Sequence, residues 1–359
     1  MNALRPATTH ASPRFPGAAA LIGLALLLVL VFLLSLALGS VRIPLDQILT
    51  VLLGGEPTKA AWASIVLKFR LPKAITAVLA GSALAVAGLQ MQTLFRNPLA
   101  GPFVLGINSG ASLGVALVVL AVGGVGRSLL AGASLLGDVS LALASVLGSA
   151  GVLLLVMVVA RRVRSTMTLL ILGLMFGYAT SALVSILLYF SIPDRIQAYL
   201  SWTFGTFGSV TWSQLKVLAP AILLGLLLAQ PMAKPLNAML LGETYARSMG
   251  LAVRRTRLLL IASAALLAGS VTAFCGPIGF LGIAVPHLTR SLFNTSDHRI
   301  LLPGVVLLGG ILALAADMVA QLPGSQLTLP LNAVTALVGA PVVVWVILRQ
   351  RNLRESFPA

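Results

Sequence analysis

The amino-acid sequence predicts an all-α, polytopic membrane protein with about ten transmembrane helices. Three properties of its 359 residues support this fold class: 58% are hydrophobic, 9% are charged, and the mean hydropathy is +1.04. Soluble domains carry roughly 25% charged residues, whereas one membrane-spanning helix needs about 20 apolar residues. The chain therefore has room for about ten spans and short loops, but not for a large soluble domain beside them.

The first span is predicted to follow a polar tail at residues 1–16. The apolar run at residues 17–38 is longer than the core of a signal peptide, so we interpret it as a retained span. The segment 279–293 contains Pro286 and is too short for a full crossing, which predicts a half-length span. With these two, the ten predicted segments form one domain at residues 17–350, followed by a tail at 351–359, and both termini lie on one side. The other eight runs lie near residues 71–94, 99–125, 140–160, 167–190, 214–230, 258–275, 301–322 and 331–348.

The basic residues predict the orientation of the chain. Lys and Arg number 24 against 8 Asp and Glu, and the cations lie between apolar runs, as in proteins whose flanking cations face an anionic cytoplasmic leaflet. This distribution indicates membrane topology and not nucleic-acid binding. If both termini are cytoplasmic, the inner segments hold about twice as many cations as the outer ones. Topology does not explain the concentration of Arg42, Lys59, Lys68, Arg70 and Lys73 in or beside one outer loop.

The polar residues point away from catalysis by this chain. Asp317 is the acidic residue inside an apolar run. Insertion of a carboxylate at the middle of a membrane helix costs about 2.5–3.5 kcal/mol of free energy. Asp317 is either a functional group or a residue that caps a helix or meets headgroups near the outer end of its span. His10, His287 and His298 form no metal-ligand constellation, and the single Cys275 excludes an internal disulfide. We therefore predict no bound cofactor or metal and no enzymatic activity.

ATP hydrolysis, if it drives this protein, is predicted to occur on another chain. No lysine in the sequence follows a glycine, so the Gly-Lys-Ser/Thr phosphate cradle is missing. The segment 236–257 is the most structured polar stretch on the predicted inner side, and residues 241–250 within it predict a short amphipathic helix ended by glycine. Composition leaves two interpretations open: a solvated loop that anchors helix ends, or a helix that docks into a partner's groove.

Glycines at four-residue spacing occur in two of the predicted spans. Gly106, Gly110 and Gly114 lie in one span, and Gly173 and Gly177 lie in another. This spacing stacks small residues on one helix face, which predicts close packing of backbones. The alternative is that these glycines line a pathway for a large solute.

Several motifs in fixed order resemble the permease subunit of iron-siderophore, haem and cobalamin ABC importers, the FecCD-type family. They extend from about residue 42 to residue 350, and as a set they are specific for this family. The motifs are Arg70-Leu71-Pro72-Lys73; Gly88-Leu89-Gln90 with Gln92 and Arg96-Asn97-Pro98-Leu99-Ala100; Leu241-Gly242-Glu243 with Ala246-Arg247; Gly276-Pro277-Ile278-Gly279-Phe280 with Pro286-His287 and Arg290; Asp297-His298-Arg299 with Leu302-Pro303; and Val334-Thr335-Ala336 with Gly339-Ala340-Pro341.

The resemblance implies a type II ABC importer permease fold in a bacterial inner membrane, with halves related by inverted pseudo-symmetry. The implied function is import of an iron chelate (a siderophore or haem) or cobalamin into the cytoplasm. The implied partners are a dimer of ABC ATPases that holds ATP and Mg²⁺, a second permease copy or homologue, and a periplasmic or lipid-anchored substrate-binding protein.

The resemblance also implies three sites. Docking of the binding protein is expected at Arg70 and Lys73, although Gln321 stands where family members often carry a further arginine. The expected cytoplasmic gate consists of Asn97, Leu99, Ser165 and Thr166, and coupling to the ATPase is expected at Leu241, Gly242, Glu243, Ala246, Arg247 and Gly250.

Two other functions compete with this interpretation. A secondary transporter or channel would work without an ATPase, but it would need several intramembrane ionisable groups for ion coupling, which the apolar runs lack. A membrane scaffold or sensor has no motif of its own in this sequence.

Overall fold

The computed structural model describes residues 17–121, 135–162, 166–321 and 328–355, and every regular element within them is helical. We call the end of the bundle at which α1 finishes and α4 begins the outer end, following the charge distribution, and the opposite end the inner end. The elements are α1 (Gly17–Ala37), α2 (Leu45–Leu52), α3 (Ala60–Ser64, continued by a π-helix at Ile65–Arg70), α4 (Leu71–Phe95), α5 (Ile107–Ala116), α6 (Leu135–Arg162), α7 (Thr166–Tyr189), α8 (Pro193–Thr203), α9 (Trp212–Ala229), α10 (Ala233–Leu240), α11 (Glu243–Ser248), α12 (Val253–Cys275), α13 (Leu281–Phe293), α14 (His298–Ala320) and α15 (Leu331–Glu355).

Most predicted spans coincide with a helix. By length and composition, six helical segments in the described ranges can cross a membrane: Gly17–Ala37, Ala60–Phe95, Leu170–Tyr189, Trp212–Leu240, Val253–Cys275 and His298–Ala320. Leu143–Val156 and Leu331–Val344 are shorter apolar segments. The predicted half-length segment forms the short helix α13. The total of ten crossings stays a prediction.

The third predicted span begins later than expected. The apolar run starts at residue 99, but the regular helix α5 starts at Ile107. Before it, residues Pro102–Leu105 form a 3-10 turn that ends at Gly106 with φ of +73°. Proline lacks an amide donor and glycine permits the left-handed conformation, so the chain turns here instead of continuing a helix from α4.

Helix α4 forms the centre of the bundle. It packs against α9, α12, α13 and α14, and 83% of its apolar window is buried. A Cβ at Gly88 would overlap the carbonyl oxygen of Gly282 in α13, and a Cβ at Gly81 would overlap that of Gly309 in α14. The backbones therefore touch at these points, which is how membrane helices gain van der Waals energy where lipid supplies no hydrophobic drive.

A second packed group confirms the packing interpretation of the spaced glycines. Gly110 and Gly114 of α5 lie directly against Gly148 and Ala144 of α6, where added side chains would overlap backbone atoms. A Cβ at Gly106 would lie 3.0 Å from the carbonyl oxygen of Gly173 in α7. Among the described residues, Gly106, Gly110 and Gly114 therefore pack α5 closely against α6 and α7.

Several of the described helices expose apolar faces, and the faces of α1, α7 and α9 belong to spans that are mostly unburied. Only 17% of the apolar window is buried in α1 and in α7, and 28% in the segment that contains α9. These faces are covered by lipid or by other chains, because an exposed apolar surface of this size is not stable in water.

Candidate functional site

The predicted gate residues Asn97 and Leu99 lie in a loop at the inner end, residues 96–101, in which Leu99 is exposed, Asn97 is half-buried and Ala100 is buried. Arg96 ends α4 in the left-handed conformation with φ of +47°. The Oδ1 atom of Asn97 accepts a hydrogen bond from the backbone N–H of Leu99 at 2.9 Å, a turn that asparagine favours. Leu99 is thereby presented on the surface.

Helix α13 holds this loop in place. A carbonyl oxygen can only accept, so the Nε2–H of His287 donates to the carbonyl oxygen of Pro98, at 2.7 Å. Gln92 near the end of α4 donates to the carbonyl of Ile283 at 3.1 Å and accepts from Nη1 of Arg290 at 2.6 Å. Three polar contacts therefore join the loop and the end of α4 to α13.

The other predicted gate residues are not placed beside this loop by the structure. Ser165 lies outside the described residues, and Thr166 begins α7 without a described side chain. The gate formed by these four residues stays a prediction.

The predicted coupling helix is shorter than the sequence indicated. It was expected at residues 241–250, but α11 covers Glu243–Ser248. Leu241 ends α10, and Gly242 and Gly250 adopt φ of +106° and +83°, which side chains rarely allow. The two glycines bound the helix as turn residues, so the helical part is six residues long.

One side of α11 is anchored and the other is exposed. Ala246 is fully buried, and Nη2 of Arg257 in α12 lies 2.6 Å from Oε1 of Glu243. Tyr245 in α11 and the flanking Leu241 and Met249 are exposed, and we call these three residues the apolar ridge. A ridge of large apolar side chains on a short, anchored helix suits insertion into a groove.

The coupling segment and the gate loop are neighbours in space. An ideal Cβ at Gly242 would lie 3.7 Å from Nη1 of Arg96, the residue that ends α4. A displacement of α11 therefore acts next to the gate loop.

A buried histidine joins three elements at the inner end. His298 is fully buried at the start of α14. Its Nδ1 and backbone N lie 2.7 and 2.8 Å from Oδ1 of Asn237 in α10, and its Nε2 lies 2.8 Å from Oγ1 of Thr93 in α4. His298 stands in the Asp297-His298-Arg299 motif of the sequence, whereas Thr93 and Asn237 have no local pattern to mark them.

Asp297, just outside the span, completes this cluster. Its Oδ1 accepts from the backbone N–H of Arg299 at 2.9 Å, which caps α14, and from Nδ2 of Asn237 at 2.6 Å. These two hydrogen bonds, with the backbone bond the larger effect, hold the pKa of the Asp297 carboxyl below its ordinary value.

At the outer end, Arg70 is bound to the backbone around the end of α1. Its side chain is buried, with 7% relative exposure. Nη1 donates to the carbonyls of Leu36 and Ala37 at 2.6 and 3.1 Å, and Nη2 donates to the carbonyl of Val41. The guanidinium satisfies carbonyls at and after the end of α1, where a helix lacks partners of its own. In this fold its hydrogen bonds are made to the chain's own backbone, and a docking role for Arg70 stays a prediction.

Lys73, the second predicted docking residue, forms an ion pair. Its Nζ lies 3.0 Å from Oδ2 of Asp317 in α14, which also accepts from Nε2 of Gln321 at 2.9 Å. This explains Asp317: it is the partner of a lysine on a neighbouring helix, neither a cap nor a headgroup contact. The three side chains line a cavity of about 520 Å³ at the outer end. A docking role for Lys73 stays a prediction.

Comparisons with known proteins cover almost the whole chain. The model of the FecCD transport family matches residues 27–349. The vitamin B12 import system permease protein BtuC of Klebsiella pneumoniae subsp. pneumoniae is 38% identical over 332 residues, which cover 92% of this chain and 94% of that protein. The protein of the same name in Salmonella typhimurium is 37% identical over 329 residues, with coverage of 92% and 94%.

The fold agrees with a solved structure as well. That structure is described as an inward-facing conformation of a metal-chelate type ABC transporter, and it matches with a TM-score of 0.80 and 29% identity over 92% of this chain and 99% of that chain. The all-helical fold is therefore that of a type II ABC importer permease, as the motifs predicted. The chain belongs to the FecCD transport family, the permease subunits of ABC importers.

Proposed function

We propose that this chain is the membrane permease of an importer for a bulky metal chelate, with ATP hydrolysed on a partner chain. The observation that carries the proposal is 38% identity to a vitamin B12 import permease over 92% of the chain. Cobalamin is the first substrate to test because the two curated relatives above are both vitamin B12 permeases. An iron chelate is the second, since the matched structure is of the metal-chelate type.

The apolar ridge supports an ATPase partner on the inner side. Leu241, Tyr245 and Met249 point away from the chain, while Ala246 and the Glu243–Arg257 ion pair fix the helix beneath them. A groove on the partner would cover the ridge. Closure of that groove would move α11, and the neighbouring Arg96 would pass the movement to the gate loop.

The exposed face of α7 supports a second permease copy. Tyr178 lies at the middle of α7 with 70% exposure, and Ser181 and Ser185 are exposed on the same face. The Ser185 hydroxyl donates to the carbonyl of Ser181 at 3.0 Å. The hydroxyl groups of Tyr178 and Ser181 cost free energy in lipid unless they meet water or a partner. We infer that this face lines an aqueous pathway between two copies, and that the faces of α1 and α9 meet lipid.

Reconstitution in proteoliposomes tests this function. The chain is co-expressed with an ATP-binding cassette protein and a secreted binding protein from the same genome, and uptake is measured separately for labelled cobalamin, a ferric siderophore and haem. We expect ATP-dependent accumulation of one of them, and none with an ATPase whose Walker lysine is replaced. Accumulation without ATP, or no association with an ATPase, would overturn the proposal.

A further inference from the structure

The outer connection between α1 and α4 carries a concentration of cations that the packing only partly explains. Arg70 is used in capping α1, and Lys73 is paired with Asp317. Arg42, Lys59 and Lys68 are exposed. These three cations lie on a segment that ends one span and begins the next, so they are near a membrane surface.

Helix α2 in this connection has a buried face and an exposed apolar face. Ile48 and Val51 are buried against the bundle. Leu45, Leu49, Leu52 and Leu53 are exposed, Leu53 to 87%. With eight residues the helix is about 12 Å long, far too short to cross a bilayer.

The rest of the helix surface is polar and hydrogen-bonded. Gln47 donates to Oδ2 of Asp46 at 2.8 Å and accepts from the backbone N–H and hydroxyl of Thr58 at 2.9 and 3.0 Å. Thr50 donates to the carbonyl of Asp46 at 2.9 Å. The helix is therefore amphipathic on its outward side, with leucines beside a polar edge, which is typical of helices that lie in a membrane interface.

The leucine face is continuous with a surface that we infer to be lipid-facing. Leu67 and Phe69 in the π-helix are exposed, and Nε1 of Trp212 donates to the carbonyl of Leu67 at 2.8 Å. Trp212 begins α9, whose exposed residues include Val217 and Leu227. Lipid that covers α9 would thus reach the π-helix and α2.

Tryptophan and lysine at this level indicate the headgroup region. Trp62 and Trp212 are two of the four tryptophans in the chain, and Nζ of Lys59 lies 5.3 Å from the centroid of the Trp62 ring. Tryptophan is enriched at membrane–water interfaces, and cations there attract anionic lipids.

We propose that α2 and the π-helix form an interfacial anchor for anionic phospholipid. The leucines enter the boundary between headgroups and acyl chains, and Arg42, Lys59 and Lys68 contact lipid phosphates. This accounts for the cations that break the inside bias. The proposal requires only that the chain spans a membrane, so it is independent of the substrate and of the ATPase.

Spin labels test the position of α2 in vesicles that contain the full chain. In a Cys275→Ser background, labels are placed by Leu49→Cys and Leu52→Cys, with Thr50→Cys as the control on the polar edge. Collision with oxygen, which enters lipid, is compared with collision with a water-soluble nickel chelate. We expect a several-fold higher oxygen-to-nickel ratio at both leucine positions than at Thr50. Equal ratios at all three positions would overturn the anchor.

The role of charge is tested by lipid composition. The ratio at Leu52→Cys is measured in phosphatidylcholine vesicles with and without phosphatidylglycerol. We expect the anionic lipid to raise the ratio, and the combined Arg42→Gln, Lys59→Gln and Lys68→Gln change to remove this effect. The combined Arg42→Lys, Lys59→Arg and Lys68→Arg change keeps the charges and should retain it. An effect of anionic lipid that survives the glutamine changes would overturn the assignment of these cations.

A protein occupant is the remaining alternative. Labels that are water-exposed in vesicles and become shielded only when the binding protein is added would assign the leucine face to that protein and overturn the lipid anchor.

Discussion

The Arg70 side chain links the start of α4 to the end of α1. Its guanidinium donates to three carbonyls around the end of α1, at Leu36, Ala37 and Val41. We expect Arg70→Met to lower the melting temperature in detergent clearly, because each buried unsatisfied group costs about 1–3 kcal/mol. Lys68→Met, at an exposed neighbour, is the control and should change little. An unchanged melting temperature for Arg70→Met, together with lost association of the binding protein, would favour docking over this structural role.

His287 is a positioning residue for the gate loop, since it donates to the carbonyl of Pro98. We expect His287→Leu to increase the mobility of a spin label at Leu99→Cys, because the loop loses its hydrogen bond to α13. His287→Gln carries an amide donor and should restore part of the order. Equal mobility in all three proteins would show that the turn at Asn97 fixes the loop without α13.

Asp297 predicts a pH dependence of stability. Its pKa is lowered in the folded chain, so its stabilising effect is complete above the ordinary carboxyl pKa of about 3.9 and is lost as the pH falls through the lower folded value. Asparagine caps helices about as well as aspartate but does not titrate in this range. Asp297→Asn should therefore flatten the acid side of the melting-temperature profile and change little at neutral pH. Parallel profiles for the two proteins would contradict this assignment.

At the scale of elements, α11 is expected to couple through its apolar ridge. Met249→Glu places a charge on the ridge, which should prevent its burial in a partner's groove and lower both stimulated ATPase activity and uptake. Because Met249 is exposed, the change should cost the chain itself little stability. Thr244→Glu is also exposed but lies off the ridge, so it is the matched control. Normal transport by Met249→Glu would exclude the ridge as the contact.

The elements also show what sequence alone could predict. Long apolar runs gave the central helices because the bilayer sets their length, and Gly242 and Gly250 marked the limits of α11. Helices α2, α3 and α8 were not predicted, since helices of 5 to 11 residues are too short to give a long apolar run or to be stable in isolation. The partners of Arg70 and Lys73 were missed for a related reason. Lys73 meets Asp317 across two helices far apart in sequence, and no local pattern reports such a contact.

At the scale of the molecule, the uneven burial of the helices separates the inside of the bundle from two kinds of outer surface. Helix α4 is enclosed, whereas α1, α7 and α9 expose apolar faces. The faces of α1 and α9 fit lipid. On α7, Tyr178, Ser181 and Ser185 add hydroxyl groups to the exposed face. This difference predicts which face meets water and a second copy.

Cysteine labelling checks that assignment in vesicles containing the assembled transporter. In a Cys275→Ser background, Ser181→Cys should react with a water-soluble maleimide several-fold faster than Leu227→Cys on α9, because the reactive thiolate forms in water and not in hydrocarbon. Tyr178→Cys should also form a crosslink to the second copy with a short bis-thiol reagent, whereas Leu227→Cys should not. Equal reactivity at the two positions, with no crosslink at Tyr178, would place α7 in lipid and require another helix to line the pathway.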